Sequence, residues 1–247
     1  MILGAGLGSR MGHLTADVPK PLLELGGKPL LGHLLDRVHQ AGVAEIYVNL
    51  HYKADLMRRY LAARPTPVPV HTAVEARLSG PAGALRVFGN ELQQYDAVLV
   101  ASGDVIVGES LRHLVASHRR QPSRLTFAVT QVREARRYGV LDIAPDGTVR
   151  GAREKPDVPD DVLYWISAGV YCLDPRTIND IPGDRLYDFA RDLAPALASA
   201  GQPVRAHRLT GYWRDVGTPE ALASARQDAA HGRIPWFAQP VPEWRVP

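Results

Sequence analysis

Cysteine is nearly absent: Cys172 stands alone among 247 residues. No internal disulfide can form, and a reducing, cytoplasmic setting is the default expectation. Lysine is scarce too, with only Lys20, Lys28, Lys53 and Lys155 among 29 basic residues. Arginine serves nearly every other cation, so each retained lysine asks for a reason. No stretch approaches the roughly 18 to 20 apolar residues that span a bilayer, and no basic segment followed by an apolar run opens the chain. Membrane insertion is therefore not expected. Long basic runs and aromatic-interleaved basic stripes are also missing, which argues against nucleic acid as a partner. The formal charge of +3 and pI near 9.1 are better explained by a pocket for small phosphorylated ligands. Internal repeats, low-complexity tracts and a hexapeptide period are absent.

What remains is ordinary globular composition, 45% hydrophobic and 22% charged, which excludes disordered, collagenous and membrane classes. The length suits one large domain with a sizeable core. Residues 1–230 are expected to form it, with 231–247 a Pro/Trp-rich tail. The last fifteen residues carry four prolines and two tryptophans, Trp236 and Trp244, too proline-rich for a helix.

Apolar residues 1–3 suggest a short strand running into a glycine turn. Leu30, Leu31, Leu34, Leu35 and Val38 recur at helical spacing and Gly42 supplies a stop. Strands are expected at 45–50, 68–74 and 97–101, with helices near 53–63 and from about 82 between them. Such alternation implies right-handed crossovers, a mostly parallel sheet covered on both faces, and ligands beyond the carboxyl ends of its strands. After 124–132 the pattern changes. Segments 139–143 and 148–152 flank Pro145-Asp146-Gly147, the signal of an inserted β-hairpin. A strand at 168–173, a helix at 187–200, a strand at 204–209 and a helix at 219–230 complete the pattern.

Five clusters carry chemical potential. The first, Leu3-Gly4-Ala5-Gly6-Leu7-Gly8-Ser9-Arg10, lets backbone N–H groups curl around an anion, with Arg10 adding charge. Glycine turns of this kind also occur in dinucleotide-binding folds. The second, Val18-Pro19-Lys20-Pro21, fixes the backbone on both sides of a rare lysine. Ser102-Gly103-Asp104 sets a carboxylate at the end of an apolar strand, and Asp215 lies in Tyr212-Trp213-Arg214-Asp215-Val216-Gly217-Thr218-Pro219. Glu154-Lys155-Pro156 follows the hairpin. Taken singly, Asp104 could be a cap, Asp215 a brace for Arg214, and Glu154-Lys155 an ion-paired turn.

Together these motifs resemble the sugar-1-phosphate nucleotidyltransferase family, in particular its mannose-1-phosphate and heptose-1-phosphate guanylyltransferases. The likeness runs to about Ala230. It implies a three-layer, Rossmann-like α/β fold of the GT-A-like kind, with a mostly parallel mixed sheet and an inserted hairpin. It also implies coupling of a nucleoside triphosphate to a sugar 1-phosphate with release of pyrophosphate. By resemblance Leu3, Gly4, Ala5, Gly6, Gly8, Ser9, Arg10, Lys20 and Gly103 bind the nucleotide. Arg10, Lys20 and Lys155 act in catalysis, and Asp104 and Asp215 hold Mg²⁺. Sugar contacts fall to Gly139, Glu154, Lys155, Ser167, Ala168 and Gly169.

The base-reading segment is Glu75 with Gly80-Pro81-Ala82-Gly83. A carboxylate there can accept two hydrogen bonds from guanine, so GTP is favoured over UTP, dTTP or CTP. His13, Pro81, Ser167 and Ala190 replace the family's usual Pro, Thr, Asn and Glu. Substrates are thus expected to be small molecules, with self-association possible. Three rivals stay in view: a nucleotidyltransferase acting on another phosphorylated alcohol, against which Glu154-Lys155-Pro156 favours a sugar, a nucleotide-sugar-binding subunit without turnover, and a dinucleotide oxidoreductase. The oxidoreductase needs an acidic residue after a second strand, about 20 residues beyond the glycines; Glu24 and Asp36 flank that distance, and neither is expected to follow a strand.

Overall fold

A computed structural model describes residues 1–154 and 156–237, so Lys155 and Trp244 lie outside the described residues. Early in the chain come strands β1 (Ile2–Leu3), β2 (Glu24–Leu25), β3 (Lys28–Pro29), β4 (Ile46–Leu50) and β5 (Val70–Val74). Helices α1 (Leu30–Gln40) and α2 (Ala54–Ala63) fall among them. Next are α3 (Gly89–Leu92), β6 (Val98–Ser102), β7 (Val105–Val107), α4 (Leu111–Arg120) and β8 (Leu125–Val132). The chain continues through β9 (Gly139–Ile143), β10 (Val149–Glu154), β11 (Tyr164–Leu173), α5 (Ala194–Ser199), β12 (Val204–Arg208), β13 (Trp213–Asp215) and α6 (Pro219–Ala230).

This is the expected Rossmann-like α/β class, a mixed sheet with flanking helices. It divides into two compact units. One, the glycine-loop unit, comprises Ile2–Ala76, Ser102–Arg112 and the chain from Thr210. The other, the hairpin unit, comprises Met1, Arg77–Ala101 and His113–Leu209.

In the glycine-loop unit β1, β4 and β5 run parallel, with Leu3 opposite Asn49 and Leu50 opposite Val74. All five residues of β4 are buried, as a strand covered on both faces requires. Residues 102–112 and the C-terminal segment add an antiparallel ribbon of β7 and β13. Below it Met11, Leu23, Leu25, Leu30, Ile106, Val216, Leu222, Ala225 and Ile234 form one apolar core, with Trp236 and Phe237 packed against it. Trp236, from the Pro/Trp-rich tail, lies beside His33 with ring centroids 5.1 Å apart. Its indole N–H donates to the Val107 carbonyl at 2.9 Å.

In the hairpin unit the ten-residue β11 is central. It pairs antiparallel with β6, β8 and β9, and β9 with β10 forms the expected hairpin. The Asp146 carboxylate accepts from the Thr148 N–H at 3.0 Å and closes the turn. β12 adds a parallel strand beside β8.

Two expected helices are broken. From Gly83 the chain makes a 3₁₀ helix to Phe88 before the single turn of α3, because Gly83 and Gly89 weaken a continuous helix. The helix expected at 187–200 begins as a π turn, Phe189–Leu193, and only then becomes α5.

Candidate active site

β1 delivers the glycine loop. Gly4 enters it with its N–H donating to the Asn49 side-chain oxygen at 3.0 Å, and Ala5 is buried while Gly6 and Ser9 are exposed. Gly8 is left-handed, φ 66°, where a side chain would be strained. Its carbonyl receives the Met11 N–H at 2.8 Å and the Thr15 hydroxyl at 3.1 Å, folding the loop onto the 3₁₀ helix Ser9–Thr15. The Tyr52 hydroxyl lies 3.0 Å from the Thr15 carbonyl oxygen and 3.1 Å from that of Ala16, fixing the far end. Arg10 is exposed.

Pro19 and Pro21 hold Lys20 as expected. The lysine begins a three-residue 3₁₀ turn and is 7% exposed, so its ammonium is directed rather than free. It forms an ion pair with Asp104. Gly103 makes the approach possible: its N–H donates to the Leu3 carbonyl at 2.9 Å, and a Cβ there would lie 2.8 Å from that oxygen.

The second carboxylate arrives through the ribbon. Asp215 of β13 stands opposite Val105 of β7, and the Val216 N–H donates to the Asp104 carbonyl at 2.9 Å. Residues 111 positions apart in sequence thus become neighbours. Asp215 Oδ2 and Arg10 Nη2 face the same point, 2.9 and 3.2 Å from where a Gly217 Cβ would sit. Arg10, Lys20, Gly103, Asp104 and Asp215 therefore gather within one unit. Among the described residues no cluster of three or more His, Cys, Asp or Glu side chains is disposed to hold a metal.

Glu75 belongs to the same unit but is no surface residue, being 6% exposed. Its carboxylate accepts from the Asn49 amide nitrogen at 2.6 Å. Asn49 thereby links Glu75 to the Gly4 N–H, a role missed in the sequence although a buried amide inside an apolar strand signals one.

The remaining candidates lie in the hairpin unit. Gly80 is wrapped on Tyr187, whose carbonyl accepts from the Ala82 and Gly83 N–H groups at 3.0 and 3.1 Å. Gly139 and Glu154 pair across the hairpin. A Cβ at Gly139 would meet Ala190 at 2.9 Å and the Glu154 carboxylate at 3.1 Å, so these three residues share one spot. The Ser167 hydroxyl donates to the Tyr171 oxygen at 3.1 Å, across a bulge that contains buried Ala168 and left-handed Gly169.

The nucleotidyl transferase family profile matches residues 1–232. The chain belongs to that family. Among curated relatives, this nucleotidyl transferase is 29% identical over 95% of its length to the mannose-1-phosphate guanylyltransferase of Mycobacterium tuberculosis. It is 32% identical over 91% of its length to the mannose-1-phosphate guanyltransferase of Aspergillus oryzae. It spans 65% and 62% of those two proteins, less than two thirds of either. Among solved structures, HddC from Yersinia pseudotuberculosis complexed with GMP-PN has a TM-score of 0.75 at 28% identity, covering 92% of this chain and 97% of that one.

Proposed function

We propose that this nucleotidyl transferase transfers GMP from GTP to a sugar 1-phosphate, with release of pyrophosphate. The observation that carries it is the convergence of Lys20, Asp104 and Asp215 beside the glycine loop, with Pro19 and Pro21 fixing the backbone around Lys20 and Gly103 allowing close approach to Leu3. The guanylyltransferase relatives and the GMP-PN complex of HddC support the choice of nucleotide.

A phosphate oxygen of the sugar 1-phosphate forms the new bond to the α-phosphorus. The bond from that phosphorus to the β-bridging oxygen breaks, and its electron pair leaves with pyrophosphate. The nucleophile is already ionised at neutral pH, so no general base is needed. The protein's task is to bring two polyanions into line and offset their repulsion. Arg10 and Lys20 supply positive charge at the glycine loop, whose N–H groups orient the phosphates. Glu154 accepts from sugar hydroxyls.

Asp104 and Asp215 fit a hard cation. Two carboxylates with no thiolate alongside suit Mg²⁺, which keeps waters and takes phosphate oxygens instead of an all-protein cage. Bound there, Mg²⁺ would neutralise developing phosphate charge.

The test is pyrophosphate release from a matrix of four nucleoside triphosphates against mannose, glucose and heptose 1-phosphates, with and without Mg²⁺. Mg²⁺-dependent release with GTP is expected. Ligand-dependent stabilisation without release in any cell of the matrix would replace the enzyme with a binding protein.

A further inference from the structure

Behind Asp215 lies a polar cluster with no part in the reaction described above. Asp228 of α6 is 7% exposed. Its carboxylate accepts from the Tyr212 hydroxyl at 2.7 Å, from Arg214 Nη2 at 2.8 Å and from Arg233 Nε at 2.6 Å. Arg214 Nε also donates to the Tyr212 oxygen at 2.9 Å.

Side chains alternate along extended chain, so Tyr212, just before β13, and Arg214 leave one face of the ribbon while Trp213 and Asp215 leave the other. The strand partner of Arg214 is Ile106, a member of the apolar core beneath the ribbon. Arg214 therefore leaves the ribbon on the side of that core, with 33% of its side chain still in solvent and with Asp228 and Tyr212 as its bonded partners. Burial by itself pulls the Asp228 carboxyl upward, but hydrogen bonds from Tyr212, Arg233 and Arg214 outweigh it and hold the group below the usual carboxylate value. Stability is a weak reason for such a cluster, since Arg214 and Arg233 are 33% and 54% exposed and ion pairs of partly solvated side chains contribute little. Fixing a register is the better-attested use.

We infer that Asp228 is a positioning residue for the metal carboxylate Asp215, clamping β13 through Tyr212 and Arg214 so that Asp215 stays beside Asp104. This rests on the proposed Mg²⁺ site. The segment after α6 reinforces it, because Arg233 grips the same carboxylate and Trp236 donates to the Val107 carbonyl on the partner strand.

The experiment measures Mn²⁺ binding with GTP present, by the paramagnetic resonance signal of free Mn²⁺, alongside Mg²⁺ titrations of turnover. Wild type, Asp228→Asn, Asp228→Glu, Tyr212→Phe and Asp215→Asn are compared. Asp228→Asn should weaken Mn²⁺ binding about tenfold, as loss of outer support around a metal typically does. Its rate at saturating metal should recover much of the wild-type value, and Asp228→Glu should restore affinity. Tyr212→Phe, a milder change that keeps the ring, should weaken binding less and serves if Asp228→Asn does not fold. Wild-type Mn²⁺ affinity in folded Asp228→Asn or in Tyr212→Phe, with Asp215→Asn impaired, overturns the clamp alone. Unchanged affinity in Asp215→Asn removes the metal site and the clamp with it.

Discussion

The two units use different chemistry to hold their candidate ligand groups. In the glycine-loop unit formal charges follow backbone that proline fixes or that only glycine can adopt: Lys20 between Pro19 and Pro21, Arg10 after left-handed Gly8, Asp104 after Gly103, which packs on the Leu3 carbonyl. In the hairpin unit Glu154 is charged, but the other candidate sugar contacts among the described residues, Gly139, Ser167, Ala168 and Gly169, offer only neutral or backbone groups. Phosphate binding needs full charges at fixed points, and few residue patterns supply them. On the proposed function the hairpin unit meets sugar hydroxyls, which accept many neutral partners.

The contrast should show first in Lys20→Ala. Losing a preorganised contact to transferring phosphate costs about 3 to 4 kcal/mol, a fall in turnover of roughly 10² to 10³. Pyrophosphate release and a circular-dichroism melt check it; near wild-type turnover would remove Lys20 from the mechanism.

A second effect separates stability from catalysis. Burial pushes the His33 imidazole down from 6.5 to about 4, while its Nε2 lies 2.9 Å from the Leu25 carbonyl. The fold accepts the neutral ring, so as pH falls the unfolded chain takes the proton first. Stability should decline from about pH 6.5 and lose about 3 kcal/mol by about pH 4. His33→Gln should remove that part of the slope in urea unfolding across the range. An unaltered slope would show that His33 is not the group responsible.

Smaller shifts are expected at the carboxylates. Asp104→Asn and Asp215→Asn should each move the Mg²⁺ half-saturation point about tenfold or more, and coincident titrations would contradict a two-carboxylate site. Smallest is Ser167→Ala, which removes one neutral hydrogen bond worth about 1 kcal/mol. Its KM for the sugar 1-phosphate should rise severalfold while that for GTP stays put. A larger effect than Lys20→Ala would invert the contrast between the units.

Legibility in the sequence follows the same division. α1 and the β9–β10 hairpin could be read because five leucine and valine positions keep one period and Pro145-Asp146-Gly147 marks one turn. Lys20 was readable because prolines isolate it. The β7–β13 ribbon was not, since three-residue strands have no usable period and their partners are a hundred residues apart. α4 escaped for another reason: after Leu111 and Leu114 its next buried position is His118, bonded to the Thr126 hydroxyl at 2.8 Å, which breaks the apolar stripe. Asp228 carries no motif at all. Only the folded chain brings Tyr212, Arg214 and Arg233 to it.

The most direct measurement is an anomalous-scattering map from crystals soaked with Mn²⁺ and a non-hydrolysable GTP analogue. The predicted result is a peak at coordinating distance from both Asp104 and Asp215, with analogue phosphates against Lys20 and the glycine loop. Phosphates bound away from Lys20, or a metal peak touching neither carboxylate, would contradict it.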